Sequence, residues 1–393
     1  MSDELPADLR DHLALALVPG LGPKLTAAVL AHFGSAAAVR RASAREFESI
    51  PLIGAKLAAK FADAVQKVNV AAEWELVRKH GVRVARLGEA EYPVPLTQIP
   101  DAPPLLYFRG ELTPADANAV GIVGSRSCTP YGKRVAAAIA GGLARAGWTV
   151  VSGLARGIDG AAHRGALDAG GRTVAVLAGG LSRIYPPEHA DLAGEVSRSG
   201  CLVTEMPMTV DPQPGMFPAR NRIISGLSRA VIVVEANLRS GALITVTHAA
   251  EQGREVYAVP GNVDSAASAG CLDLIRKGAR LVRTADDVLD DLQGLAPFEV
   301  QAPAKRKPDT PSPTLFDPPA AVPSPADPAP RGPPPGLDTV QLRLWEALAA
   351  PRHMDELARE LGLPVSEVSV AVMKLEMKKA IRRLPGNQFE RAP

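Results

Sequence analysis

The stretch from residue 119 to residue 284 constrains the fold most, because short apolar runs alternate there with amphipathic segments. The runs lack polar/apolar alternation, which is typical of strands covered by helices on both faces. Val135, Ile139 and Leu143 recur every four residues, as on one face of a helix. The pattern predicts an α/β fold with a Rossmann-like, doubly wound parallel sheet. The predicted strands are 119–123, 149–151, 173–177, 202–204, 230–235, 255–259 and a less apolar one at 280–282.

The segments that leave these strands are the candidate site, because ligands of such sheets bind beyond the carboxyl ends of the strands. They are rich in glycine, serine and arginine. Glycine lets the backbone approach a ligand, helix-start N–H groups attract anions, and arginine offers a planar fork for phosphate. We therefore predict a phosphate-binding pocket made of Gly124, Ser125, Arg126, Ser152, Gly153, Arg156, Gly157, Phe217, Arg220, Asn221, Arg222, Ser240, Gly241 and Thr245.

Within this set we assign the four arginines to phosphate groups, with one or two of them open to a structural role instead. Phe217 is available to stack on a base, or to anchor its own loop. Asn221 would hold the loop or contact a base edge. Arg126 follows the first strand directly, so we expect it to matter most, unless it is a strut paired with Asp159 or Glu235.

The motifs of these loops, taken in order, resemble the DNA-processing protein A family (DprA, also called Smf). They are GSR, SGLARGID, FPARNRIISGLS, VVEA, SGALIT and VPGN, and the resemblance covers about residues 92–292. The resemblance implies a single-stranded DNA-binding recombination mediator that protects incoming DNA and loads a RecA-type recombinase during natural transformation. It also implies a homodimer, leaves room for a single-strand binding protein as a partner, and calls for neither catalysis nor a cofactor.

Two enzymatic interpretations compete with DNA binding. Ser152, Asp159 and His163 could form a hydrolytic triad, although capping explains an aspartate at a helix start more simply. A nucleoside-monophosphate N-glycosidic hydrolase would use the same kind of sheet, but residues 239–245 lack the PGG and the glutamate of its PGGxGTxxE helix start. The absence of a Walker lysine motif argues against a P-loop ATPase. We predict a non-enzymatic binder and keep the hydrolase as the alternative.

Composition narrows the cellular setting. Cys128, Cys201 and Cys271 are far apart and odd in number, which argues against a disulfide framework or a metal site. No apolar run approaches the roughly 20 residues that span a bilayer, and the acidic start does not resemble a signal peptide. We therefore predict a cytoplasmic protein without membrane contact. Because the formal net charge is only +2, nucleic-acid binding would require a local basic patch.

Residues 1–80 contain an internal repeat, in which VPGLGPKL at 18–25 is echoed by IPLIGAKL at 50–57. Each copy precedes an alanine-rich helix, and the pair resembles paired helix-hairpin-helix motifs, which implies a SAM-like helical domain. Whether the hairpins touch DNA or only shape a helical bundle stays open. Residues 81–293 would form the α/β domain, with a strand at 82–87 and proline-punctuated extended pieces before its core at 119–284.

The composition changes again at 294–336, which holds fourteen of the 36 prolines. This predicts a disordered, semi-extended linker. Residues 337–393 then show three helical periodicities, the third at 366–380, followed by a hairpin turning at Pro385-Gly386-Asn387. That order predicts a winged helix-turn-helix domain. The third helix would read DNA or the domain would bind protein, and the sequence favours neither.

Overall fold

The structure is a computed structural model that describes residues 5–292, 298, 337–348, 352–364, 367–368, 371–372, 374–375, 380–384 and 388–391. The chain divides into two compact units, Met1–Lys305 and Arg306–Pro393. The predicted linker at 294–336 lies outside the described residues, except for Phe298. Within the described ranges, no helix is long and apolar enough to cross a membrane.

Six helices open the first unit: α1 Ala7–Ala16, α2 Pro23–Phe33, α3 Ala36–Arg41, α4 Ala44–Glu48, α5 Ala55–Lys67 and α6 Val70–Lys79. The repeated segments connect α1 to α2 and α4 to α5. In the first copy Gly20 has a φ of 88°, and Leu52 holds the equivalent position of the second copy at 80°. Phe47 and Phe61 are buried in the core that α2–α5 share. The repeat therefore shapes two similar turns.

A nine-stranded sheet forms the centre of this unit: β1 Arg83–Arg86, β2 Leu105–Gly110, β3 Ala119–Val123, β4 Thr149–Ser152, β5 Thr173–Val176, β6 Cys201–Thr204, β7 Ala230–Val233, β8 Glu255–Ala258 and β9 Arg280–Leu281. The strand order is β1-β2-β6-β5-β4-β3-β7-β8-β9. The seven strands β3–β9 are parallel, which confirms the predicted doubly wound sheet.

The edge formed by β1 and β2 departs from the prediction. The sequence around Leu105 was expected to be only an extended lead-in, but it forms a strand that pairs antiparallel with β6. Tyr107 and Phe108 are fully buried there. Burial of these two aromatic rings on opposite faces makes β2 an interior strand, so β1 rather than β2 is the edge.

Eight helices cover the sheet: α7 Val94–Thr97, α8 Pro130–Arg145, α9 Ile158–Asp168, α10 Ala190–Ser199, α11 Met216–Leu227, α12 Ala242–Glu251, α13 Ala269–Arg276 and α14 Ala285–Leu292. The predicted apolar face of α8 packs with α9 and α14 in one core. Helices α11, α12 and α13 contribute to a second core on the other side. The sheet is therefore covered on both faces, as its apolar strands require.

The second unit contains α15 Thr339–Ala347, β10 Arg352–His353, α16 Met354–Leu361, β11 Ile381–Leu384 and β12 Gln388–Arg391. The strands form a small sheet in the order β10-β12-β11. Leu344, Leu375 and Phe389 are buried in its core. This is the predicted winged helix, although much of the expected third helix and the turn at 385–387 lie outside the described residues.

Candidate nucleic-acid interface

The loops that leave β3, β4 and β7 meet at the carboxyl edge of the parallel sheet around a cavity of about 670 Å³. This is where a doubly wound sheet binds its ligands. Nine of the fourteen predicted residues line this cavity: Gly124, Ser125, Arg126, Phe217, Arg220, Asn221, Ser240, Gly241 and Thr245. Gly153 and Arg156 line a narrower recess that adjoins it and shares Arg126 and Phe217. Ser152, Gly157 and Arg222 line neither.

Two glycines allow the loops after β3 and β4 to lie against each other. A Cβ atom at Gly124 would lie 2.6 Å from Ile158 Cγ1, and one at Gly157, where φ is 79°, would lie 2.3 Å from the Ser125 carbonyl oxygen. The Ser125 carbonyl accepts a hydrogen bond from the Ile158 N–H (3.2 Å), while the Ser125 N–H donates to the Glu235 carbonyl (2.7 Å). Gly157 is therefore structural, and the turn that carries Arg126 is fixed from both sides.

Flat groups form one wall of the cavity. The Arg126 guanidinium lies 4.6 Å from the centroid of the Phe217 ring. The Tyr185 ring lies 5.8 Å from Phe217, centroid to centroid, and is 42% exposed. Arg126 makes no ion pair with any described residue, so the geometry shows no direct strut to Asp159 or Glu235. Burial raises the pKa of Asp159, and the charge of Arg126 is among those that oppose the shift, so these two groups interact at a distance. A cation stacked on a half-buried ring beside an exposed one suits an anionic ligand with flat bases.

Tyr185 was not predicted as a site residue. Its signal in the sequence was an aromatic residue followed by Pro186-Pro187 in a segment that leaves a predicted strand. Such a residue is usually a packing residue, and only its position beside Phe217 identifies it as part of the wall.

Arg156 is exposed at the mouth of the narrow recess, where its side chain forms an ion pair with Glu188. The hydrogen bond to Glu188 raises the pKa of Arg156. Part of its charge is therefore already compensated, in contrast to Arg126.

Arg220 lies in the floor of the cavity and is only 4% exposed. Its Nη1 donates to the carbonyl oxygens of Gly153 (2.8 Å) and Val176. A Cβ atom at Gly153 would lie 2.3 Å from that nitrogen, so glycine is required to admit the guanidinium. Burial lowers the pKa of Arg220 to about 10, and the nearby Asp159 carboxylate opposes that shift. Arg220 is therefore charged at neutral pH and fixes the shape of the floor.

Asp159 is the buried counterpart of this arginine, at the start of α9. Its Oδ2 accepts hydrogen bonds from the N–H groups of Gly153 (3.2 Å) and Ala155 (3.4 Å). Burial raises the pKa of the carboxyl, while the charge of Arg220 and the two backbone donors lower it. Asp159 thus holds the loop after β4 in place.

Arg222 differs from its neighbour Arg220. It is 4% exposed, and its guanidinium forms ion pairs with Asp101 (3.1 Å) and Glu205 (2.6 Å). Residues two apart on a helix point in different directions, so Arg220 and Arg222 on α11 cannot both face the cavity. The structure places Arg222 outside the cavity with its charge compensated, and we do not retain it among the candidate phosphate ligands.

The remaining polar residues of the predicted site also divide into those that line the cavity and one that is buried away from it. Thr245 lines the cavity, and its buried Oγ1 has no hydrogen-bond partner among the described residues. Asn221 Nδ2 donates to the Gly241 carbonyl oxygen (3.4 Å), and Ser240 Oγ accepts from the Ala242 N–H (3.3 Å) at the start of α12. Ser152, in contrast, is fully buried and donates to the Ile122 carbonyl oxygen (2.6 Å).

Ser152, Asp159 and His163 do not form a catalytic triad. His163 is fully buried, and its Nδ1 bonds to Thr173 Oγ1 (2.7 Å) rather than to Ser152. Burial lowers the pKa of His163 to about 3. A neutral, buried imidazole without a link to the serine cannot act as its general base. Among the described residues there is also no cluster of three or more metal-ligating side chains.

Comparison with known proteins gave two family matches. Residues 83–293 match the model of DNA recombination-mediator protein A, and residues 327–387 match the DprA winged helix domain. The chain is 33% identical to Protein Smf of Synechocystis over 96% of this chain and 98% of that protein. It is 43% identical to the DNA processing protein DprA of Bacillus subtilis over 55% of this chain and 73% of that protein. The crystal structure of DNA processing protein A from Streptococcus pneumoniae superimposes with a TM-score of 0.64 at 33% identity, covering 72% of this chain and 97% of that chain.

Proposed function

The chain belongs to the DNA recombination-mediator protein A family, and from that premise we propose that it binds single-stranded DNA in the cavity at the carboxyl edge of its sheet. The observation that carries this proposal is the wall of Arg126, Phe217 and Tyr185, which combines a cation that makes no ion pair with any described residue, a half-buried ring and an exposed ring. Stacking on aromatic side chains contributes about 1–3 kcal/mol per base. Bases are free to stack in this way only when they are not paired within a duplex.

The phosphates would lie between Arg126 and the start of α12. Gly241 has open space around it, so the backbone can approach a phosphate there, whereas Gly124 is packed against Ile158 and fixes its turn. Thr245 Oγ1 lines the same cavity and has no hydrogen-bond partner among the described residues. Arg220 would act from below as a fixed positive charge, since it is buried and its Nη1 already binds two backbone carbonyls. We place Arg156 at the exit of the strand, where its ion pair with Glu188 limits its contribution.

Family membership supports the wider role. We propose that the protein protects single-stranded DNA and loads a RecA-type recombinase during natural transformation, acting as a homodimer and without catalysis. A single-strand binding protein would then be a neighbour on the same DNA. The absence of a link between Ser152 and His163 favours binding over hydrolysis as the function of this cavity.

The proposal is tested by measuring the binding of labelled oligo-dT and of a duplex of equal length across a salt series. We expect the single strand to bind more tightly, and its affinity to fall steeply with salt because phosphate contacts release counterions. Incubation of the same preparation with AMP should yield no free adenine. Equal affinity for both DNAs, or salt-independent binding, would contradict the proposed site, and release of adenine would favour the hydrolase.

A further inference from the structure

A second cavity, of about 500 Å³, lies at the opposite edge of the sheet from the proposed DNA site. Asn118 directly precedes β3 and Arg229 directly precedes β7, so the lining lies at the amino ends of the parallel strands. Much of that lining is apolar and includes Tyr92, Val94, Pro95, Leu112, Val174 and Leu227. Nothing in the proposed DNA-binding function uses this cavity.

Two half-buried arginines lie beside each other at this edge. Arg229 Nε donates to the Ala117 carbonyl oxygen and to Asn118 Oδ1, both at 3.2 Å. Arg254 Nη2 donates to the carbonyl oxygens of Pro95 (3.1 Å) and Gly226 (3.4 Å). Burial lowers the pKa of both arginines, and the charge of Arg229 lowers that of Arg254 further. Arg254 Nε is buried with no hydrogen-bond partner among the described residues.

Phe298 lies over both guanidinium groups. Its ring centroid is 4.2 Å from Arg229 Cζ and 4.7 Å from Arg254 Cζ, and Phe298 also lines the cavity. The negative face of an aromatic ring compensates nearby cations, and does so more effectively where they are desolvated. One aromatic ring therefore lies against both guanidinium groups. Between residues 293 and 336, Phe298 is the one position that the structure describes.

We propose that Arg229 and Arg254 form a receptor site for an aromatic side chain beside this cavity, and that its occupant is Phe298, which belongs to the chain's own proline-rich sequence. Phe298 is thereby fastened to the rest of the Met1–Lys305 unit six residues after α14 ends at Leu292. The fastening point is at the amino ends of the strands, so the site at their carboxyl ends stays open. This anchor is independent of the proposed DNA binding, and neither requires the other.

The test compares Phe298→Ala with Phe316→Ala in the full chain by hydrogen–deuterium exchange. Phe316 belongs to the same proline-rich sequence and serves as the matched control. We expect peptides that cover residues 90–95 and 112–118 to exchange about tenfold faster in Phe298→Ala, because the ring no longer covers this cavity. Phe316→Ala should leave their exchange unchanged. Equal exchange in Phe298→Ala and in the wild type would overturn the proposal.

Chymotrypsin, which cleaves after aromatic residues, provides a second measurement on the unaltered protein. Cleavage after Phe298 should be about tenfold slower than cleavage after Phe316, because a ring bound by two arginines is withheld from the protease. Equal rates would overturn the proposal.

Phe298→Leu separates an aromatic site from a merely apolar one, again by hydrogen–deuterium exchange. Exchange as fast as in Phe298→Ala supports the contact between the ring and the arginines, and exchange as slow as in the wild type overturns it. Oligo-dT affinity should be the same in all these variants.

Discussion

The proposed DNA site has an exposed rim, made of Arg126, Arg156, Tyr185 and Phe217, and a buried polar layer beneath it, made of Asp159, His163, Arg220 and Arg222. The same signature segments supply both. FPARNRIISGLS contributes Phe217 to the rim and two arginines to the buried layer. In the rim, Arg126 and Tyr185 contact the Phe217 ring, and Arg156 pairs with Glu188. In the buried layer, Asp159 and Arg220 bind backbone groups, His163 bonds to Thr173, and Arg222 pairs with Asp101 and Glu205.

The difference shows that charge alone does not identify a ligand-binding arginine. A buried guanidinium must be hydrogen-bonded and neutralised to be tolerated, and those bonds use the donors that a phosphate would need. An exposed guanidinium keeps its donors free. Substitutions in the buried layer should therefore lower the stability of the protein, whereas those in the rim should lower affinity. Four experiments test this division.

The largest effect is expected for Arg222→Ala. It would leave the carboxylates of Glu205 and Asp101 near each other without a counter-charge, and removing one partner of a buried ion pair costs about 3–5 kcal/mol. Urea unfolding should show this loss, and adding Glu205→Gln should recover part of it. A variant that unfolds normally but no longer binds oligo-dT would show that Arg222 acts in DNA binding and not in stability.

His163 should make stability depend on pH. Its folded-state pKa of about 3 is lower than the ordinary value of 6.5, so the stabilisation is complete above pH 6.5 and is lost as the pH falls towards 3. At pH 5 the loss should be about 2 kcal/mol relative to neutral pH. Urea unfolding of wild type and His163→Gln at pH 7, 6 and 5 isolates this contribution, because all other groups are common to both. Parallel pH profiles would show that His163 does not contribute.

Arg126→Ala should weaken oligo-dT binding about tenfold through loss of a charge-assisted contact and of the cation on Phe217. Its melting temperature should match that of the wild type, since Arg126 is exposed. Arg126→Lys should fall between the two because it keeps the charge and loses the planar fork. Arg164→Ala is the matched control, as it removes an exposed arginine paired with Glu195 away from the cavity. Wild-type affinity in Arg126→Ala would exclude the rim as the binding surface.

The smallest effect is expected at Arg156, whose charge Glu188 already compensates. Arg156→Ala should weaken oligo-dT binding less than about threefold, because an exposed ion pair contributes little. Glu188→Gln should strengthen binding slightly at low salt and not at high salt. If Arg156→Ala proved as damaging as Arg126→Ala, the ion pair with Glu188 would not limit the contribution of Arg156 to DNA binding.

The strand pattern predicted most of the sheet because short apolar runs without polar/apolar alternation fit few structures other than strands covered on both faces. It missed β2, since the prolines before Leu105 indicated an extended connection and pairing with β6 is a non-local contact. Leu52 is a similar case. Its positive φ is unfavourable for a leucine, but the neighbouring Ile50 and Ile53 are buried and impose the turn.

The candidate site was predictable as a set of loops and not as a set of contacts. Gly124 and Arg126 could be found because strand ends fix where such loops lie. The distinction between Arg220 and Arg222 could not, because it depends on which side of α11 faces Asp101 and Glu205, both distant in sequence. Tyr185 was missed for the same reason, since only the fold brings it to Phe217.

Helices α1 and α6 contribute Leu13 and Val77 to the core that contains Tyr107 and Leu202 of the central sheet. The Glu73 carboxylate of α6, which is 4% exposed, accepts the Met208 N–H at 2.8 Å in the loop after β6. Helices α1 and α6 and the sheet are therefore one cooperative unit, which should melt in a single calorimetric transition. Removal of residues 1–80 would therefore leave an α/β domain with an uncovered apolar face, and we expect that domain to aggregate.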